Sequence, residues 1–345
     1  MRLQTSLGIA IGTALGTLVA VKALRARRAV DFAGTTVLIA GGSRGLGLAM
    51  ARAFSTEGAH VVLAARDEQE LERAAADIEA LGGEVTTIKC DFRDRAQVER
   101  TIERVAHDRG RIDVLVNNAG IIQVGPLEHM TVADFEDAMA THFWGPLYTT
   151  LAALPHMQAS ETKRIVNISS IGGKIAVPHL LPYCTSKFAL TGLSEGLRSE
   201  LAPKGFAVTT VCPGLMRTGS TYNARFKGQH RREFAWFHLS NAIPGMSVSA
   251  SRAARQIVDA CRHGDAELIL TPGAKLAVLA NGISPATTAR LLTLANHFLP
   301  GAHPDGDDRS HTGWQSVSRL IPSVVTRLSD RATVEHNELP DASRP

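Results

Sequence analysis

The chain has 345 residues, 44% of them hydrophobic, which suffices for one large α/β domain with extensions or for two small domains. Its 37 Lys and Arg stand against 33 Asp and Glu, an excess too small to mark a nucleic-acid partner. Four cysteines, Cys90, Cys184, Cys212 and Cys261, show neither paired nor metal-ligand spacing, so they read as reduced thiols of a cytosolic domain without a metal site.

The N-terminus opens on nineteen residues without a charge, Leu3 to Val21. As a helix these would span roughly 29 Å, close to the thickness of a bilayer core. Lys22, Arg25, Arg27 and Arg28 follow directly, and no Ala-x-Ala cleavage site occurs nearby. Residues 1–28 are therefore expected to be a single membrane anchor with the remainder facing the cytoplasm. Gly8, Gly12 and Gly16 leave a smooth stripe that suits a homo-oligomer contact, and they also leave an interfacial helix as the alternative to a span.

A catalytic domain starts near Asp31. The apolar run Thr36 to Ala40 reads as a strand, and Gly41-Gly42-Ser43-Arg44-Gly45-Leu46-Gly47 then opens a helix reaching about Glu57. Glycines at 41, 45 and 47 between strand and helix let the backbone lie close to a pyrophosphate, with the helix N-terminus favouring its charge. After a second strand, His60 to Ala65, an NAD-type chain would carry an acid for the ribose hydroxyls. Here Ala65 closes the strand and Arg66 follows, which together with Arg44 places two guanidinium groups for a 2′-phosphate and favours NADP. Asp67 keeps NAD open.

Strands and helices continue to alternate: Glu84 to Cys90 ending on Asp91, a helix Ala96 to Asp108, and a strand Ile112 to Val116 entering Asn117-Asn118-Ala119-Gly120. This order predicts an α/β fold, a doubly wound parallel sheet covered on both faces, with ligands at the C-terminal rim.

The run from Arg164 to Ser169 is again strand-like and delivers Ser170; thirteen residues later comes Tyr183, and four after that Lys187. Positions four apart share one helix face, so phenol and ammonium point into one space. The ammonium is expected to lower the phenol's pKa from about 10, as proton exchange with a carbonyl or alcohol requires. Ser170 can reach the same substrate oxygen.

With the glycine loop 41–47, Asp91, Asn117-Asn118-Ala119-Gly120, Ser170, Tyr183-x-x-x-Lys187 and Pro213-Gly214 followed by Thr218, residues 33–270 resemble the short-chain dehydrogenase/reductase family. The resemblance implies a single-domain Rossmann fold. It implies Tyr183 as general acid/base, Ser170 as the hydroxyl on the substrate oxygen and Lys187 on the nicotinamide ribose. It places Asp91 at the adenine and Asn117 at the sheet centre, and lets Asn118, Ala119 and Gly120 admit the cofactor closely.

Two positions depart from the family pattern. Ala40 replaces a threonine, and His142-Phe143-Trp144-Gly145 stands where Asn-x-x-Gly is expected. The asparagine helps hold a water that links the lysine to solvent. His142 is read here as a fourth catalytic residue in a working relay of altered pH dependence, against the alternative that it only packs. Pro146 is expected to bend its helix.

Leu215 to Met246 interleaves Phe226, Phe234, Trp236 and Phe237 with Lys227, His230, Arg231 and Arg232. Such a segment covers the substrate in the family, which suggests an apolar carbonyl or alcohol, a lipid, acyl or steroid-like ketone. Core packing and a lipid-surface rest are the alternatives. Helices Lys275 to Asn281 and Pro285 to Leu299 form a C-terminal extension, residues 271–300, and the polar stretch 301–345 is expected to be largely disordered apart from a short helix near 317–328. The functions weighed are an NADP-dependent oxidoreductase, a weakly catalytic NADP-binding sensor of the same fold, and an epimerase or dehydratase using His230 and His238.

Overall fold

The computed structural model describes residues 20, 22–242, 247–302, 307–317 and 331–339. The expected anchor, apart from Ala20 and residues 22–28, lies outside them, and so does nearly all of the short helix expected near 317–328. Among the described residues no helix is long and apolar enough to cross a membrane.

The first half of the domain runs β1 (Thr36–Ala40), α1 (Gly45–Thr56), β2 (His60–Ala65), α2 (Glu68–Ala80), β3 (Val85–Lys89), α3 (Arg95–Arg109) and β4 (Val114–Asn117). β1 and β2 are buried at every position, as strands covered on both faces must be. Helix starts are fixed locally: Asp67 accepts the Glu70 N–H, and Asp94 accepts those of Ala96 and Gln97. Gly110, at φ 78°, ends α3 in the left-handed conformation that glycine adopts without strain.

After a two-residue β5 (Gln123–Val124) come α4 (Val132–Met139), a π-helical turn at Ala140–Trp144 and α5 (Gly145–Met157). Then follow β6 (Arg164–Ile168), α6 (Leu181–Leu201), β7 (Ala207–Cys212), β8 (Leu215–Arg217), β9 (Arg225–Gly228), α7 (His230–Ala242), β10 (Ser247–Ser249), α8 (Ala250–His263) and β11 (Glu267–Ile269). The main sheet is seven-stranded, in the order β11-β7-β6-β4-β1-β2-β3, and all its pairs are parallel. Strand order reverses between β1 and β4, whose C-terminal residues Ala40 and Asn117 pair. Ligands bind at such a switch point.

Helices α1 and α8 bury Met50, Phe54, Ile257 and Val258 on one face of the sheet; Ile102, Val105, Met157 and Leu201 cover the other. A third, smaller cluster forms over the C-terminal rim from Leu180, Phe226, Phe234 and Phe237, with Tyr183 and Trp236 packed against it. The rings of the aromatic segment thus form a core, as the packing alternative expects, and Tyr183 lies against it. The lipid-surface alternative does not hold for Lys227, which is buried and reaches Asp134 Oδ2 at 2.6 Å.

Beyond β11, helices α9 (Pro272–Ile283) and α10 (Pro285–Asn296) leave Leu276, Leu279, Ile283, Leu291 and Leu294 exposed, as is Phe298 in the turn after α10. The polar tail departs from expectation. Residues 307–312 form β12, antiparallel to β9, with His129 Nδ1 2.6 Å from Asp308 Oδ1. Residues 331–339 fold back onto the main domain, burying Thr333, His336 and Glu338. Composition hid this, because the order comes from long-range pairing and not from an apolar pattern.

Candidate active site

The glycine loop is a cradle with room for backbone alone. A Cβ at Gly47 would run into the Gly41 carbonyl oxygen, and one at Gly41, where φ is 80°, would lie 2.7 Å from Ala119 Cα. Asn118 Nδ2 donates to Gly41 O at 2.7 Å and the Asn118 N–H donates to Ala40 O at 3.0 Å, joining the loop to the end of β4. Leu46 is buried beneath the first turn of α1. This shape, at the N-terminus of a twelve-residue helix, fits a dinucleotide diphosphate.

Around the adenosine end the expected residues fare differently. Arg66 is exposed and makes no hydrogen bond or ion pair among the described residues. Asp67 is engaged as the cap of α2. Arg44 is held by Glu70 Oε1 at 2.8 Å, and Ser43 Oγ donates to Glu70 Oε2 at 2.8 Å. Glu70 was invisible as a site residue in the sequence, since no motif marks it. Asp91 is clasped by Arg93, whose hydrogen bonds hold the carboxyl below its usual range against the opposing effect of burial.

At the sheet centre Asn117 Nδ2 donates to Asn167 Oδ1 at 2.8 Å, while Thr149 Oγ1 donates to Asn117 Oδ1 at 2.6 Å. This satisfied polar network locks β4 to β6 and α5. Beyond β6, Ser170 Oγ accepts the Gly172 N–H at 3.0 Å, and the Ile171 N–H donates to Pro213 O at 2.8 Å, so the serine turn is tied to the Pro213-Gly214 turn. A side chain at Gly172 would press on the Tyr183 ring at 3.2 Å, and one at Gly214 would lie 2.6 Å from Thr271 Oγ1. Gly120 faces His142, and Thr218 is buried with its hydroxyl donating to Ser220 Oγ at 2.9 Å.

Tyr183 and Lys187 sit one turn apart on α6, with Nζ 5.8 Å from the phenol ring centroid. Lys187 Nζ donates to Ile168 O at 2.8 Å. Burial pushes Tyr183 up to about 12, with a hydrogen bond from Ser170 working the other way, and burial pushes Lys187 down to about 7. The expected depression of the phenol by the ammonium is therefore not seen. Loss of water disfavours both charged forms, and the lysine spends its hydrogen bond on a carbonyl. What the pair retains is a lysine that titrates near neutrality beside a protonated phenol.

His142 lies fully buried in the π turn. Its Nε2 accepts the Ile121 N–H at 3.1 Å, so Nδ1 carries the hydrogen and donates it to Ser186 Oγ at 2.7 Å. Ser186 Oγ in turn donates to Tyr183 O at 2.8 Å. Burial, reinforced by Lys187, keeps the imidazole well below its ordinary pKa. Both ring nitrogens are committed to protein partners, Ile121 and Ser186. Pro146 provides no N–H for the His142 carbonyl, and the helix opens into π geometry just before it.

The sequence profile described as short chain dehydrogenase matches residues 35–227. The "Dehydrogenase/reductase SDR family protein 7-like" of Anopheles gambiae is 38% identical over 203 residues, 57% of this chain and 64% of that relative. The "Ketoacyl reductase HetN" of Nostoc is 31% identical over 265 residues, 75% of this chain and 88% of that one. A solved dehydrogenase/reductase from Sinorhizobium meliloti 1021 superposes with a TM-score of 0.63 at 31% identity, covering 72% of this chain and 97% of its own.

Proposed function

Since the chain belongs to the short-chain dehydrogenase/reductase family, oxidoreductases acting on CH–OH and C=O groups, we propose that it moves hydride between NADP(H) and an apolar carbonyl or alcohol carbon, with Tyr183 as general acid/base. The observation that carries this reading is the convergence of Ser170, Tyr183 and Lys187 at the C-terminal rim of the sheet, beyond β6. The bound nicotinamide supplies or accepts the hydride.

The chain's own residues supply the rest. The Ser170 hydroxyl lies beside the Tyr183 phenol, and together they receive the substrate oxygen. Kept protonated by burial, Tyr183 donates its proton as that oxygen gains electron density, and in the reverse direction takes a proton from an alcohol. Lys187, titrating near neutrality, is suited to resupply that proton. His142 positions the Tyr183 turn through Ser186 and exchanges no proton itself.

The NADP preference rests on Arg66, exposed and free of ion pairs among the described residues, and on Asp67 being engaged away from a ribose. Arg44 supports it less, because Glu70 already holds it. The apolar substrate class rests on the Phe226, Phe234 and Phe237 cluster against Tyr183. A membrane location rests on the uncharged run 3–21 and on the exposed apolar residues of α9 and α10.

The test is the initial rate of NADPH and NADH oxidation against ketones running from short aliphatic to long-chain and polycyclic. Turnover with NADPH and the bulky members supports the reading. Turnover confined to short polar ketones or to NADH contradicts it. Liposome sedimentation of the full chain and of the chain lacking residues 1–28 tests the location, and equal binding by both refutes the N-terminal anchor.

A further inference from the structure

Residues 331–339 lie on the glycine cradle, and their contacts are too many and too specific for a loosely packed tail. The Gly45 N–H, at the start of α1, donates to His336 O at 2.8 Å. Asn337 Nδ2 donates to Ser43 O at 2.9 Å and to Glu70 O at 3.1 Å, while its Oδ1 accepts from Arg73 Nε at 3.0 Å. Arg52 donates to Glu335 O at 2.9 Å. Glu338 reaches past the loop: Asn223 Nδ2 donates to its backbone oxygen at 3.1 Å and to its carboxylate, and Arg44 Nε stands 3.7 Å from Oε2.

The Glu338 carboxyl lies against the glycine loop. A Cβ at Gly45 would lie 2.5 Å from Glu338 Oε1, and one at Gly219 would lie 3.0 Å from Glu338 Cβ and 2.7 Å from Thr333 Oγ1. The tail therefore bridges the cradle at the start of α1 and the turn just after Thr218, the two sides between which the family's cofactor lies. Thr333, His336 and Glu338 are 1%, 1% and 4% exposed, so the tail packs closely against the domain. Carboxyl oxygens at a helix N-terminus beside an arginine take up the positions that phosphate oxygens favour.

We propose that residues 332–338 are an intramolecular latch on the dinucleotide site, with the Glu338 carboxylate taking the place of the cofactor diphosphate, so that binding NADP(H) requires the tail to leave. This rests on the reading of residues 41–47 as the cofactor cradle. The latch is built to yield. Burial pushes the Glu338 carboxyl up to about 7, while Arg44 and Asn223 pull it down and Glu70, on α2, opposes them. The latched form therefore holds a proton that the released carboxyl, at an ordinary 4.5, does not. Latching is strongest below that ordinary value, weakens as pH rises towards about 7 and is level above it. The cradle and the turn contribute no further titratable group to this contact besides Arg44 and Glu70, and His336, on the tail itself, faces Arg52.

The test uses the full chain and three variants: Asn337→Ala, which removes the bonds to Ser43 and Glu70; Glu338→Lys, which sets like charges against Arg44; and Glu338→Gln, which keeps the shape and removes the charge. NADPH and NADH dissociation constants are measured by calorimetry, and amide exchange of residues 331–339 is followed with and without NADPH. A latch closed nine times in ten weakens apparent affinity about tenfold, so Asn337→Ala and Glu338→Lys should bind both cofactors about tenfold tighter. Glu338→Gln should bind no tighter than the parent and lose the rise of affinity between pH 4.5 and 7. Amides 331–339 should exchange faster when NADPH is added. Equal affinities in all four proteins, or tail amides that become more protected with NADPH, overturn the latch and leave the cradle reading standing. If no protein binds either cofactor, the cradle reading fails and the latch fails with it.

Discussion

His142 Nδ1 lies 2.7 Å from Ser186 Oγ, and this one bond joins the π turn to the helix that carries Tyr183. Because Nε2 simultaneously accepts the Ile121 N–H, the imidazole is a neutral spacer between three chain segments. His142→Ala leaves two polar groups without their partner and opens a cavity, so it should lower stability by about 2–4 kcal/mol in urea unfolding. The acid limb of the kcat/KM profile should keep its shape in the variant. Loss of an ionisation from that limb would return His142 to the proton relay.

Lys187 gives the account its pH dependence. Burial holds it near 7, so the residue loses its proton as pH passes through that value. Resupply of the Tyr183 proton in carbonyl reduction then fails on the alkaline side, and kcat/KM for reduction should fall with one ionisation near pH 7. Lys187→Arg cannot lose its proton in this range, and whatever activity it keeps should be flat there. A profile of the same shape in parent and variant would show that another group titrates.

On the proposed NADP reading, in which Arg66 would give a charged hydrogen bond to the 2′-phosphate, Arg66→Ala should weaken NADPH by about 1.5–3 kcal/mol and NADH hardly at all. Calorimetric titration with both cofactors reads the difference directly. Equal losses would take the 2′-phosphate away from this arginine.

Lys227 and Asp134 form a pair of side chains only 10% and 11% exposed, tying the aromatic segment to α4. Lys227→Met strands a buried carboxylate and should cost about 3–5 kcal/mol at neutral pH. Burial alone would raise the Asp134 pKa, but hydrogen bonds from Lys227 and Thr131 outweigh it and hold the carboxyl below 3.8. The group thus contributes stability above that value which disappears as pH falls through the lower folded one. The gap in urea midpoint between parent and Lys227→Met should therefore close in strong acid, and a pH-independent gap would mean that packing alone is at work.

Strands such as β1, β2 and β4 were legible in the sequence because each is a short apolar run closed by a turn or a cap, whereas β7 was not read from it. β1 and β2 begin and end where the residue pattern places them. The pairing of Tyr183 with Lys187 was legible because spacing on one helix face follows from helix geometry alone, whereas Ser170 comes from the end of β6. The protonation of that constellation was not. It depends on how completely the rim is dried by residues far away in sequence, among them Phe226 and Phe234. The hydrogen bonds of His142 were equally hidden, since its partners Ile121 and Ser186 lie 21 and 44 residues away. The tail showed nothing in advance: Asn337 and Glu338 acquire meaning only through contacts with Ser43 and Arg44, across nearly the whole chain.

The central claim is that Tyr183 exchanges the proton while hydride moves. The most direct measurement is NADPH oxidation at 340 nm by the full chain and by Tyr183→Phe with one bulky ketone acceptor, alongside NADPH binding by calorimetry in the same preparations. The account predicts that the variant binds NADPH as the parent does and turns over nothing. Comparable turnover in both would contradict it. Tight NADPH binding without turnover in the parent itself would contradict it as well, and would leave a cofactor-binding sensor as the function of this fold.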